Sequence, residues 1–249
     1  MITATPVAWP VYWHDTIDST NEEAQRLASA GDVSDRWIAA RAQTQGRGRR
    51  GRSWSSPEGN LYVTAVFHEP EGIPAATRIP FVAAIAVADT IRQLAPGSEP
   101  RLKWPNDVRV DGAKMSGILV EAGNGVHGAW IACGIGMNVS FAPDNAGQAA
   151  TSLADLRGDA SVTPDIALES LRPSFANRLA EARMDFSSTL EAWIKSAEGV
   201  GQAVSVTVGD NHVQGIFEGL EPDGALILRL PDGQSRVIRA GDVSLVKER

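Results

Sequence analysis

A single cysteine occurs in 249 residues, so the chain cannot form an intrachain disulfide. That suits a reducing compartment, and a cytoplasmic location is expected. Cys133 lies in the apolar stretch Trp130-Ile-Ala-Cys-Gly134, which reads as a buried, inert thiol rather than a nucleophile. The opening residues, MITATPVAWP, hold no basic region followed by an apolar run, so no secretory leader is read there. The most apolar run, 81–88, falls short of the roughly 20 residues that span a bilayer and reads as a buried helix. His14, His68, His127 and His212 are scattered without metal-ligand spacing, and no resident metal is expected. There is no Walker A sequence, nucleophile elbow, internal repeat or low-complexity tract. Basic residues are outnumbered, 23 Lys and Arg against 30 Asp and Glu, for a net charge of −7. That balance opposes nucleic acid and anionic membrane as partners.

Against this acidic background, residues 43–54 read QTQGRGRRGRSW. Arg47, Arg49, Arg50 and Arg52 are spaced by Gly46, Gly48 and Gly51, with no acid among them. Guanidinium groups are planar, permanently charged forks that match carboxylate and phosphate oxygens. Glycines let the backbone approach a ligand closely. The stretch reads as a mobile, anion-binding lid, with a solvated basic turn or a nucleic-acid arm as the plainer readings. Trp54 at its end either packs the loop down or covers a bound ring.

Three further motifs are ambiguous alone. In Lys103-Trp-Pro-Asn-Asp107, Pro105 sets a turn that presents Asn106 and Asp107 together, for a base edge, a metal, an amine, or nothing beyond an Asx turn. Lys114 opens an apolar strand just past the tight-turn pair Asp111-Gly112 and either points back toward Asp107 or guards a solvated edge. Gly117 suggests close backbone approach on that strand. In Gly134-Ile-Gly-Met-Asn138, the glycines clear space beside a strand, or merely allow close packing, and Asn138 stands where the strand ends.

The hydrophobic pattern predicts an α+β fold with a mixed or antiparallel sheet and helices on one face. Strands are expected at 7–14, 37–42, 61–67, 108–110, 114–120 and 129–139. Ser19 with Glu22, or Thr20 with Glu23, offers a capping box for a helix running to about Ala30. Residues 141–150 read as loop, and two helices fill 164–197. Beyond that, short strands at 203–208, 212–220, 226–230 and 237–246 suggest a small all-β module, plausible as a barrel. The boundary is placed near Gly199-Val-Gly201, dividing the chain into 1–199 and 200–249.

Taken in order, the motifs resemble those of biotin protein ligases: Ser19-Thr-Asn21, Gln43 with Gly46 to Arg52 and Trp54, Lys103 to Asp107, Lys114-x-x-Gly-Ile-Leu119, and Gly134-x-Gly-x-Asn138. The resemblance covers most of 9–140 and resumes weakly over 200–249. It implies a mixed-sheet catalytic domain of the biotin/lipoate ligase type followed by an SH3-like β-barrel. It also implies a two-step reaction with biotin, ATP and Mg2+, through biotinyl-5′-AMP, onto a lysine of a biotin carboxyl carrier domain of an acyl-CoA carboxylase. By the family pattern Lys114 bridges the biotin carboxylate and the α-phosphate, Arg47 assists, and Asp107 orients or deprotonates the incoming lysine. Ser19, Thr20, Asn21, Gln43, Arg47, Lys114 and Gly117 would hold biotin. Arg47, Arg49, Arg50, Arg52, Trp54, Lys103, Asn106 and Asn138 would hold the nucleotide or adenylate, Asn106 and Asn138 by reading adenine. Segment 141–163 should cover adenosine, with Thr151-Ser-Leu153 a weaker match. Some members carry an N-terminal helix-turn-helix; only 18 residues precede Ser19, so ligase activity without DNA-based repression is expected.

The alternatives are a lipoate ligase or lipoyl/octanoyl transferase, a non-catalytic nucleic-acid binder, and a biotin sensor without catalysis. The first typically carries Arg-Arg-x-Ser-Gly-Gly-Gly in place of this arginine loop. The second would bind in a steeply salt-dependent way and is opposed by the acidic balance. Retention of Lys114 and Asp107 opposes the third.

Overall fold

The computed structural model describes residues 8–125, 128–143 and 148–246. The readings that fall on Val7, on His127 and on 144–147 of the expected loop lie outside them.

Seven strands form the main sheet: β1 (Val11–Ile17), β2 (Arg36–Gln43), β3 (Leu61–His68), β4 (Arg101–Lys103), β5 (Asp107–Val110), β6 (Ala113–Gly125) and β7 (Gly128–Met137). Their order is β1-β2-β3-β7-β6-β5-β4. β1 and β2 run parallel and every other pair is antiparallel, so the sheet is mixed. The parallel pair follows from the crossover between them, α1 (Thr20–Ser29), because parallel neighbours cannot be joined by a tight turn.

Strand alternation sorts side chains to two faces. Trp37 and Ala39 of β2, with Leu61, Val63, Ala65 and Phe67 of β3, point into the main core, against α2 (Ile79–Leu94), α4 (Pro164–Met184) and α5 (Phe186–Lys195). Ile38, Val66 and Ala132 point the other way and pack on Ala24 of α1. Helices therefore cover both faces, correcting the expectation of one. The exception is functional in consequence, since the α1 face is the one that carries the cavity described below.

α2 extends beyond the 81–88 run. With the 3-10 turn Ile73–Arg78 before it, the span Ile73–Leu94 is long and apolar enough to cross a bilayer by length and composition. Here Phe81 through Ala88 are all buried, as expected of a core helix. Within 141–163, the stretch expected to cover adenosine, lies α3 (Leu153–Arg157), opened by a reciprocal capping box between Ser152 and Asp155.

The last five strands, β8 (Ala203–Val208), β9 (Asn211–Leu220), β10 (Leu226–Arg229), β11 (Ser235–Ile238) and β12 (Asp242–Leu245), form an antiparallel sheet of order β11-β10-β9-β8-β12. The single strand expected at 237–246 is two strands broken at Arg239-Ala-Gly241, which lets β12 leave β11 and pair with β8. The module is seated on the main sheet. Trp104 Nε1–H donates to the Gly224 carbonyl at 3.1 Å, and just ahead of the module Leu102 exchanges backbone bonds with Ser196 and Glu198 at 2.9 Å, tying down the segment that leads into it.

Candidate active site

A cavity of about 350 Å³ opens on the α1 face of the sheet. Its floor is a paired register, Gly117 of β6 opposite Gly136 of β7. The Trp54 indole lies on that floor. A Cβ on Gly136 would stand 2.6 Å from Trp54 Nε1, and one on Gly117 would stand 2.9 Å from its ring. Glycine at these positions is thus a condition for seating the ring. Gly134, two residues back on the same face, clears space for Asn21, whose Oδ1 would lie 2.2 Å from a Cβ there.

Lys114 reaches the floor through a bulge. The Asp111-Gly112 turn has φ of 49° and 75°, both positive, as a two-residue hairpin turn of type I′ requires. Beyond it Arg109 pairs with Lys114, but Val108 pairs with Ser116 and Asp107 with Gly117. Met115 is the extra residue. Without it Lys114 and Gly117, an odd step apart, would face opposite sides of the sheet. With it, Lys114 Nζ meets Asp107 Oδ1 at 2.7 Å and stands 5.2 Å from the centre of the Trp54 ring. The backbone that the bulge frees is taken up by the following segment: Lys114 N–H donates to Ala149, and its carbonyl accepts from Thr151.

At the inner end, a buried polar chain runs from α1 across the sheet. Thr20 N–H donates to Gln43 Oε1 at 2.8 Å, and Gln43 Nε2 donates to Ser56 Oγ at 2.9 Å. Thr64 Oγ1 lies 2.8 Å from Thr20 Oγ1 and donates to Asn21 Oδ1 at 2.7 Å. Asn21 Nδ2 donates to the Leu119 carbonyl and to Glu121 Oε2, the latter at 2.8 Å. Ser19, Thr20, Asn21 and Gln43 all line the cavity. The capping box read at Ser19 does not form. Ser19 makes no side-chain cap bond, and Asp18 accepts its N–H instead, leaving these side chains turned inward.

The arginine loop is a folded turn. Trp54 N–H donates to Gly46, Gly48 N–H to Arg52, and Arg52 N–H to Arg49. Left-handed φ angles at Arg50 (57°) and Gly51 (70°) bend its tip. Arg47 pairs with Glu22 and, at 3.0 Å, with Glu121. Arg49, Arg50 and Arg52 converge on one carboxylate of the C-terminal sheet, Asp242, at 3.6, 3.3 and 3.2 Å. Arg49 also donates to Asn106 Oδ1 at 3.1 Å, and burial lowers its pKa from the usual guanidinium value.

Of the residues singled out in the sequence, Ser19, Thr20, Asn21, Gln43, Arg47, Arg49, Arg52, Trp54, Asn106, Asp107, Lys114 and Gly117 line this one cavity. Arg50, Lys103 and Asn138 do not. Asn138 is buried, and its amide donates to the Lys114 and Thr151 carbonyls, a brace beneath Lys114 rather than a surface open to adenine. Lys103 is the register partner of Asp107, and burial lowers the pKa of its ammonium group. Burial likewise pushes the Cys133 thiol up, as expected of an inert cysteine. Sequence reading missed Thr64, Glu121, Glu22 and Asp242. Thr64 had a faint signal, a lone polar residue in the apolar run of β3, while Asp242 had none.

Residues 13–138 match the Biotin/lipoate A/B protein ligase family, and 199–246 match the Biotin protein ligase C terminal domain. A biotin–[acetyl-CoA-carboxylase] ligase of Paracoccus denitrificans is 41% identical over 236 residues, covering 91% of this chain and 96% of that protein. The bifunctional ligase/repressor BirA of Escherichia coli is 31% identical, over 92% of this chain and 72% of its own length. Among solved structures, a biotin protein ligase of Aquifex aeolicus in complex with biotin and ATP superposes with a TM-score of 0.80 at 26% identity, covering 96% of this chain and 99% of that one. Two domain matches in series, a relative alike over nearly its whole length and a shared fold agree with the cavity's chemistry: the chain belongs to the Biotin/lipoate A/B protein ligase family.

Proposed function

We propose that this protein is an ATP-dependent biotin ligase that attaches biotin to a lysine of a carboxylase, through biotinyl-5′-AMP. The observation that carries the reading is the Lys114–Asp107 pair on the glycine floor, with the polar chain of Thr20, Asn21 and Gln43 at one end and the arginine loop at the other. The polar end suits a ureido head, which needs both donors and acceptors, and the cationic end suits a polyphosphate.

In the first step a carboxylate oxygen of biotin bonds to the α-phosphorus, and pyrophosphate leaves. Two anions must be brought together, so fixed positive charge in a water-poor cavity is the main requirement. Lys114 turns from Asp107 to the carboxylate and α-phosphate, and Arg47, Arg49 and Arg52 exchange their present carboxylate partners for phosphate oxygens. Magnesium would arrive with the nucleotide and would add positive charge against its phosphates, beside that of Lys114 and the loop arginines. In the second step an acceptor amine attacks the acyl carbon and AMP leaves. Asp107, released by Lys114, takes the amine proton. Trp54 and the loop shield the mixed anhydride from water. The acceptor is a biotin carboxyl carrier domain, the setting is cytoplasmic, and neither nucleic acid nor membrane is part of this reading. We place the junction between the ligase domain and the C-terminal module at 199/200.

The test is biotin-dependent exchange of labelled pyrophosphate into ATP, with lipoate in parallel. Exchange with biotin alone is expected. Exchange with lipoate alone would move the protein to the lipoate branch of the family, and exchange with neither would end the adenylation reading.

A further inference from the structure

Glu121 has no part in the chemistry above, yet it closes both ends of the machinery. One oxygen, Oε2, takes the Asn21 amide at 2.8 Å; the other, Oε1, takes Arg47 of the loop at 3.0 Å. Asn21 is buried, so its hydrogen-bond pattern is set by the protein rather than by solvent.

An ionised carboxylate accepts and never donates. Glu121, together with the Leu119 carbonyl, therefore fixes the Asn21 amide with Nδ2 toward β6 and Oδ1 toward Thr64. Oδ1 can only accept, so the single Thr64 hydroxyl proton is directed to it at 2.7 Å. Thr64 Oγ1, 2.8 Å from Thr20 Oγ1, then accepts from Thr20, in preference to the longer 3.2 Å contact of that hydroxyl with Gln43 Oε1, which already accepts the Thr20 N–H. Each donor in the sequence Thr20, Thr64, Asn21 points toward Glu121. The Thr20 oxygen is left with a free lone pair, an acceptor, at the cavity wall.

We propose that Glu121 is a positioning residue that, with the Leu119 carbonyl, sets the direction of this hydrogen-bond chain, so that the head-group subsite accepts from a ligand N–H, and that couples this subsite to the loop by holding Arg47 with its second oxygen. The inference rests on the biotin reading for the identity of the ligand. The recognised ligand class is a cyclic urea or amide that presents N–H to Thr20.

Glu121→Gln tests both parts at nearly constant shape. A glutamine amide accepts or donates, so only the longer bond to the Leu119 carbonyl, at 3.2 Å, still holds the Asn21 amide in its present sense, and the chain can reverse. The variant also loses the charge that holds Arg47. Biotin KM is expected to rise about tenfold, the scale of one charge-assisted hydrogen bond, with kcat and ATP KM changed far less. A second readout needs no turnover. In the wild type, biotin alone should slow tryptic cleavage at the loop arginines. In Glu121→Gln, biotin at concentrations that saturate binding should no longer do so. An unchanged biotin KM would overturn the polarity argument, and retained protection at saturation would overturn the coupling. A joint rise in both KM values with a lowered melting temperature would show a merely structural role and overturn both. Wild-type pyrophosphate exchange run alongside separates these outcomes from failure of the ligase reading, which would abolish exchange in the unmutated protein.

Discussion

Lys114 owes its aim to one extra residue in β6, and its partner is the Asp107 carboxylate, which it leaves in the mechanism proposed above. Replacement by alanine removes the one ammonium among the described residues that line the cavity, without emptying the core, since Lys114 is partly exposed. Adenylate formation by Lys114→Ala is expected to fall by at least about a hundredfold with the melting temperature little changed, because fixed charge at a developing anion is worth that much. Unchanged exchange would take Lys114 out of the mechanism. Gly136 makes a second case at this scale. A methyl group there would overlap the Trp54 indole, and overpacking of this kind costs about 1–3 kcal/mol. Gly136→Ala should displace the ring, seen as a change in tryptophan fluorescence, and weaken intermediate retention. A variant with native emission and full retention would show that the ring's seat is irrelevant.

Among the elements, α1 shows how a start signal can be present in sequence and used differently. Its first turn carries Glu22 and Glu23, yet the N-terminal residues spend their side chains on the cavity. The anchoring passes to Asp18, which accepts from Ser19 N–H at 2.7 Å and from both terminal nitrogens of Arg26 at 2.7 and 2.9 Å. The Arg26 guanidinium holds the Asp18 carboxyl at about 2, below its ordinary 3.8. A carboxyl lowered on folding stabilises the protein above its unfolded value and loses that contribution as the pH falls from about 4 through about 2. The pair is solvent-accessible, so its worth is below about 1 kcal/mol. Asp18→Asn should lower the melting temperature slightly at neutral pH, and the gap from wild type should close in acid. A gap that persists at pH 2 would assign the loss to something other than the charge. Elsewhere the period-2 pattern located β2, β3 and β7 closely, whereas β4, only three residues long, was too short to show a period.

For the molecule as a whole, the C-terminal sheet has a role that its strand pattern did not announce. Asp242 holds three arginines of a loop some 190 residues earlier in the chain. These contacts lie near the surface and should be screened by salt. Asp242→Ala is expected to speed tryptic cleavage of the ligand-free loop severalfold, and high salt should do the same to the wild type while adding little to the variant. Equal cleavage rates in variant and wild type at low salt would deny the module any hold on the loop.

What the sequence determined by itself was the inventory: which residues carry charge, which glycines leave room, and which alternations make strands. These are local properties, written in composition and spacing, and the motif order was enough to point to a family before any distance was known. The tertiary structure decided the pairings. It turned Lys114 onto Asp107 through a bulge, buried Asn138 beneath Lys114, made Thr64 the middle of a hydrogen-bond chain, and brought Glu121 and Asp242 to the two ends of the arginine loop. Ion pairs and hydrogen bonds depend on distance in space. Between residues 74 or 190 positions apart, that distance is set by strand order and by how the C-terminal sheet docks, neither of which leaves a local trace.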